Sequence, residues 1–174
     1  MVKKIIHQLS LGIKQLHYYG IIHRDLKLEN VLMDYEDNEH FTTKIIDFGL
    51  SQVITPLSKT KETYGSLIFC FPEILLSIPH NAKVDVWSLG VMAYYLEYTF
   101  FPFGIKGNES DQETSNKIIM NELKIPKKID ANNANNDQRE FAASVVLLNV
   151  IKLSLIKDIN QRSCIDQIEQ GLVV

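Results

Sequence analysis

The sequence predicts a mainly α fold with short β-hairpins, and three features predict it. Ile5, Ile6, Leu9, Ile13 and Leu16 recur at helical spacing near the amino terminus. The stretch from Val86 to Leu96 is apolar on every face, as a helix at the centre of a core must be. Between them, Val31-Leu32-Met33 and Lys44-Ile45-Ile46 are short β-type runs joined by an acidic turn from Asp34 to His40.

Taken in order, the opening amphipathic helix ends at Gly20, a residue suited to the left-handed conformation that closes helices. Ile21 and Ile22 begin a short extended piece, and the hairpin follows. Residues from Leu50 to Ser66 are polar and weakly periodic, which predicts a long loop. Pro72 to Leu76 starts a short helix, with proline at its first turn. The buried helix begins near Lys83. Polar residues dominate from Gly104 to Arg139, with a small helix expected from Lys117 to Leu123. An apolar helix is expected from Val145 to Ile156 and a closing one from Ile165 to Ile168.

The 174 residues suit a single domain, and 45% of them are hydrophobic, enough to build a core. A net charge of −3, with both signs interspersed, gives no electrostatic case for nucleic acid. Cys70 and Cys164 stand far apart in no metal-ligand spacing, so a reduced cytoplasmic or nuclear setting is expected. No secretory leader is apparent, because polar residues interrupt the stretch after Lys3 and Lys4. The longest apolar stretch is shorter than the roughly 20 residues a bilayer needs, so no membrane partner is expected. Asp34, Glu36 and Asn38 alternate like a calcium loop. Glu39 stands where that loop needs Gly, and Ile45 where it needs Glu, so a solvated hairpin tip is expected. His7, His40 and His80 have no partner spacing and are expected at the surface; Cys70 and Cys164 are expected as core fillers.

The motifs carry the chemistry. His23-Arg24-Asp25-Leu26-Lys27-Leu28-Glu29-Asn30 resembles the catalytic loop of protein kinases, H-R-D-L-x-x-x-N. Seventeen positions after Asn30, Asp47-Phe48-Gly49 resembles the metal-binding D-F-G turn. Gly65-Ser66 and Phe71-Pro72-Glu73 resemble the close of a kinase activation segment, with Ser66 for the usual Thr, Phe69 for Tyr and Phe71 for Ala. Phe71 is the departure that puts the adjoining substrate pocket in doubt. Asp85-Val86-Trp87-Ser88-Leu89-Gly90 is similar to D-x-W-S-x-G, Thr99 to Phe103 keeps only Pro102 and Phe103 of G-x-P-P-F, and Asp158 with Arg162 resembles D-P-x-x-R. These motifs run in family order through nearly the whole chain.

The resemblance implies a role for each residue. Asp25 would orient the attacking hydroxyl and take its proton, and Lys27 would place a cation beside the moving phosphoryl group. Asn30 and Asp47 would hold Mg2+ on the phosphates of ATP, and Leu32 would pack beneath adenine. His17 would be structural, and His23 would lie under Phe48. Asp85 would be a buried carboxylate bonded to catalytic-loop backbone. Glu73 would pair with Arg162, and Ser66 would bridge Asp25 and Lys27. Glu62 would either pair with Arg24 in place of an activation-loop phosphate or be an exposed charge between Lys61 and Thr63. Lys27 points to serine/threonine specificity. Lys44 to Ser51 and Ser88 to Val91 resemble the calcium/calmodulin-regulated and calcium-dependent branch.

Neither a Gly-x-Gly-x-x-Gly loop nor a V-A-I-K lysine occurs in residues 1–174. The chain is therefore expected to be a partial kinase domain, the C-terminal lobe, with the N-terminal lobe absent. Its expected partners are a protein substrate and a separate N-lobe or regulatory segment. Two functions follow: a truncated serine/threonine kinase catalytic domain, or a non-catalytic lobe acting as a binding or scaffold module.

Overall fold

The computed structural model describes residues 1–37, 40–53, 67–126 and 145–172. Helix α1 (Val2–Tyr18) buries Ile5, Ile6, Leu9 and Ile13 and packs on four other elements. It stops at Tyr19; Gly20 follows at φ 70°, the left-handed turn that directs the chain into β1 (Ile21–Ile22). A single 3-10 turn, Leu28–Asn30, then leads into the hairpin.

Strands β2 (Val31–Tyr35) and β3 (Phe41–Ile45) pair antiparallel with Val31 opposite Ile45 and Tyr35 opposite Phe41. The hairpin is longer than its apolar runs suggest. The Tyr35 and Phe41 rings meet at 5.8 Å. The Gln8 side chain of α1 also bonds β3 twice, donating to the Phe41 carbonyl at 3.0 Å and accepting from the Thr43 N–H at 2.7 Å. At the tip, Asp34 pairs with Lys44 at 2.7 Å and His40 with Asp37 at 2.8 Å, as a solvated turn does. The stretch expected as loop from Leu50 onward begins with a strand, β4 (Gln52–Val53), which pairs with β1, Ile21 opposite Val53. Such a long-range pairing leaves no local pattern.

Helix α2 (Pro72–Leu75) precedes α3 (Lys83–Tyr98). Every residue of α3 from Val84 to Tyr94 is buried, so α3 is the axis of the core, as its apolar composition requires. Gly90 permits the crossing of α5 (Val145–Ser154): a Cβ there would lie 2.6 Å from the Ser154 Cβ. Helix α4 spans Asp111–Met120, upstream of the expected position, because Ser110 and Glu113 form a reciprocal capping box that fixes its start. Helix α5 ends at Ser154 instead of Ile156, and α6 runs on from Ile165 to Leu172. α6 packs on α1 and α5. Among the described residues, no helix is long and apolar enough to cross a membrane.

Candidate active site

Asp85, on the first turn of α3, organises the site. Its carboxylate is wholly buried and accepts from the backbone N–H groups of His23 and Arg24, both at 2.9 Å. His17 Nε2 lies 2.8 Å from the same group. A buried carboxylate needs this many partners, because burial otherwise strips it of water. The bonds also hold Arg24 at φ 67°, a left-handed conformation that costs a non-glycine residue on the order of 1–3 kcal/mol. Arg24 Nε donates to the Leu50 carbonyl at 2.7 Å, tying the loop to the chain beyond Asp47.

The turn that Asp85 holds presents Asp25, Lys27 and Asn30 together. Lys27 Nζ lies 2.9 Å from Asp25 Oδ2. Asn30 Nδ2 donates to the Asp25 carbonyl at 2.8 Å and to Asp25 Oδ2 at 3.1 Å. Asp25 and Asn30 are buried and Lys27 is half-buried, so the carboxylate is aimed by two donors in a partly dry setting, where charge interactions are strong.

Asp47 joins this group through its neighbours. The Ile46 N–H donates to the Asn30 carbonyl at 2.9 Å, and the Ile46 carbonyl lies 3.1 Å from His23 Nε2. The His23 and Phe48 rings meet at 5.1 Å, so His23 does lie against Phe48. Asp47 adopts φ 63°, with its Oδ1 accepting from the Gly49 N–H at 3.2 Å. Its carboxylate is exposed. Among the described residues no three acidic, histidine or cysteine side chains form a metal cage. One exposed carboxylate close to an amide whose nitrogen is already bonded fits Mg2+, which takes few protein ligands and completes its shell with phosphate and water. Leu32 and Phe48 are 51% and 48% exposed, an apolar surface beside the metal-type ligands.

The supporting pair is also present. Arg162 Nη2 lies 2.7 Å from Glu73 Oε1 and Nη1 3.2 Å from Oε2, with both side chains essentially inaccessible. Burial lowers the Arg162 pKa, while Glu73 opposes that shift. Phe71 is buried, with its ring 5.1 Å from that of His80. His80 is thus half-buried and not the surface residue expected, and its pKa is lowered by burial and by nearby Arg24, against an opposing pull from Asp85. Cys70 is buried and its thiol pushed up to about 12 by burial, as a core filler should be; Cys164 is only half-buried. Glu62 and Ser66 lie outside the described residues. Sequence reasoning gave no role to Glu29 or Tyr95, which line a groove beside the catalytic loop. Glu29 was visible inside the octet; Tyr95 reads as one more apolar residue of α3.

A family model described as protein kinase domain matches residues 1–172. The chain is 38% identical over 125 residues to sperm motility kinase Z of Mus musculus, covering 71% of this chain and 24% of that protein. It is 34% identical over 156 residues to an Aurora kinase of Yarrowia lipolytica, covering 90% and 39%. It is 31% identical over 160 residues to serine/threonine-protein kinase kin-29 of Caenorhabditis briggsae, covering 91% and 18%. The chain therefore spans about a fifth to two fifths of the length of these relatives.

Proposed function

The chain belongs to the protein kinase family, and on that footing we propose that it carries the C-lobe half of a serine/threonine kinase active site. The reaction is transfer of the γ-phosphoryl group of ATP to a protein hydroxyl. The observation that carries this reading is the contact of Asp25 with both Lys27 and Asn30, with Asp47 tethered beside them. Asp25 orients the substrate hydroxyl and accepts its proton, and Lys27 presents its ammonium to the transferring group. Asn30 and Asp47 are the residues that would hold magnesium, which when bound neutralises charge on the ATP phosphates. Leu32 and Phe48 supply the apolar floor for the nucleotide.

The glycine-rich loop and strand lysine that cover ATP in this family come, in this proposal, from a segment outside these 174 residues. The protein itself is read as cytoplasmic, with a nuclear setting as the alternative. Kinship with the calcium/calmodulin-regulated and calcium-dependent branch rests on Lys44 to Ser51 and Ser88 to Val91. The scaffold alternative rested on the missing N-lobe motifs and on Phe71; the likeness to protein kinases favours the catalytic reading over it.

The test is phosphoryl transfer by the full-length protein to peptides that differ only in carrying Ser, Thr or Tyr. Labelling of Ser and Thr peptides, lost with Asp47→Ala, supports the proposal. Labelling of the Tyr peptide alone, or turnover by Asp47→Ala equal to wild type, contradicts it.

A further inference from the structure

Three contacts tie helix α1 to strand β3, and they fall on one stripe of the helix. Lys4 Nζ sits over the Phe41 ring, 4.5 Å from its centroid. Gln8 donates to the Phe41 carbonyl at 3.0 Å and accepts from the Thr43 N–H at 2.7 Å. At Gly12 the missing side chain makes room for the strand: a Cβ there would lie 3.0 Å from Ile45 Cδ1. Lys4, Gln8 and Gly12 recur every fourth residue of α1, and Phe41, Thr43 and Ile45 every second residue of β3. Four helical residues rise about 6 Å, and two strand residues about 6.6 Å. Helix and strand therefore run in step along the whole of β3.

The strand needs such a rail. Among the described residues β2 and β3 form a sheet of two strands, so β3 has no strand along its outer edge. An edge strand leaves one row of N–H and C=O groups open. The Gln8 amide offers that edge one donor and one acceptor, as a neighbouring strand would. The far end of the hairpin carries the metal-type ligands. Ile45, seated over Gly12, pairs with Val31. Asn30 directly precedes Val31, and Asp47 stands two positions beyond Ile45. Between them the Ile46 N–H donates to the Asn30 carbonyl at 2.9 Å. The other end of α1 reaches the anchor of the catalytic loop, with His17 Nε2 2.8 Å from Asp85. One helix thus references β3, and with it Asp47, to the turn that bears Asp25 and Asn30.

Accepting the kinase reading of the site, we propose that Gln8 and Gly12 are positioning residues for its metal-binding pair, fixing β3 on α1 so that Asp47 keeps its separation from Asn30. Neither belongs to the reacting groups; both act through β3. Loss of the rail lets β3 slip or tilt. Magnesium demands near-ideal octahedral geometry, so its binding registers such a shift sharply. The substrate hydroxyl is handled by Asp25 and Lys27, which the hairpin does not carry, so it registers the shift less.

The experiment uses the full-length protein, with Mn2+ standing in for Mg2+ beside a non-hydrolysable ATP analogue and its binding read by electron paramagnetic resonance. Gln8→Met keeps the length of the side chain and removes both bonds. It should weaken Mn2+ binding by roughly tenfold, the lower end of what losing a ligand's support costs, with the KM for a serine peptide near wild type. Gln8→Glu, which keeps the acceptor and loses the donor, should fall between. Gly12→Ala should also weaken Mn2+ binding, and adding Ile45→Val, which removes the Cδ1 in the way, should restore it. Val150→Ala disturbs the buried face of α5, away from the hairpin, and should bind Mn2+ as the wild type does, which separates lost positioning from lost stability. Wild-type Mn2+ affinity in Gln8→Met or Gly12→Ala would overturn that residue's assignment, and an equal loss in Val150→Ala would overturn both assignments. Phosphoryl transfer to Ser and Thr peptides divides this failure from failure of the kinase reading. Mn2+ binding that depends on Gln8, without any transfer, would refute the kinase reading and leave the positioning role standing. Transfer with Mn2+ affinity unmoved by either variant would overturn the positioning role alone. Neither Mn2+–nucleotide binding nor transfer by the wild type would overturn both.

Discussion

Arg162→Ala should be among the most damaging single substitutions remote from the catalytic loop. The guanidinium is 1% exposed and makes two bonds to Glu73, whose side chain is equally buried. It also donates to the carbonyls of Ile156, Lys83 and Lys157 at 2.8, 3.2 and 3.2 Å. Its flat face lies 4.9 Å from the Trp87 ring, which stacks on Phe103 at 5.5 Å. Removing it strands a buried carboxylate, three carbonyls and one face of an indole. Stranding one partner of a buried pair costs about 3–5 kcal/mol. In a domain of this size each kcal/mol moves Tm by roughly 2–4 °C, so a fall of about 6–20 °C is expected. Circular dichroism melts of wild type, Arg162→Ala, Glu73→Ala and the double variant form a thermodynamic cycle. The double variant should recover part of the loss, because no lone charge remains buried. Single effects that add to within about 0.5 kcal/mol would refute the reasoning, since residues in contact do not behave that way.

Three further outcomes follow from the packing and the charges. Gly90→Ala should destabilise by about 1–3 kcal/mol by chemical denaturation, despite the better helix propensity of alanine, because its Cβ would lie 2.6 Å from Ser154 and 3.0 Å from Leu155; a gain in stability would refute the close crossing. Glu109 is held down from 4.5 to about 2, chiefly by Lys117, so its folded pKa is depressed. The contribution is present above pH 4.5 and lost as pH falls toward about 2. The Lys106 and Gly107 amides should lose exchange protection over that window, and unchanged protection would contradict the assignment. The 174-residue chain by itself should bind magnesium-ATP weakly and self-associate through the exposed Leu32 and Phe48; micromolar affinity from a clean monomer in calorimetry and light scattering would refute this.

The site was more legible in the sequence than the fold around it. Asp25, Lys27, Asn30, Asp47, Asp85, Glu73 and Arg162 sit in motifs whose spacing the chemistry dictates; Asp25, Lys27 and Asn30 touch one another, Asp85 bonds the backbone of their loop and Glu73 meets Arg162, while Asp47 is linked to the group through its neighbour Ile46. Elements set by tertiary contact were harder. β4 exists because it pairs with β1 more than twenty-five positions earlier in sequence, and the hairpin extends to Tyr35 and Phe41 because Gln8 of α1 bonds β3. α4 was expected at Lys117 to Leu123, while its actual start is signalled by Ser110 and Glu113, a local cue in the sequence. His80 has no spacing to betray it; its burial comes from Phe71, the residue that departs from the family motif. The left-handed backbone at Arg24 and Asp47 is equally invisible locally, because only the bonds from Asp85 and through Ile46 make it affordable.

The central claim is that Asp25 is the carboxylate that handles the substrate hydroxyl, and Asp25→Asn in the full-length protein tests it most directly. Asn keeps the size of the side chain and removes its charge and its ability to take a proton. Single-turnover transfer to a serine peptide should fall by roughly 10²–10⁴-fold. ATP affinity and melting temperature should stay near wild type. A variant that transfers phosphate at the wild-type rate, with the same peptide and the same bound ATP, would contradict the account.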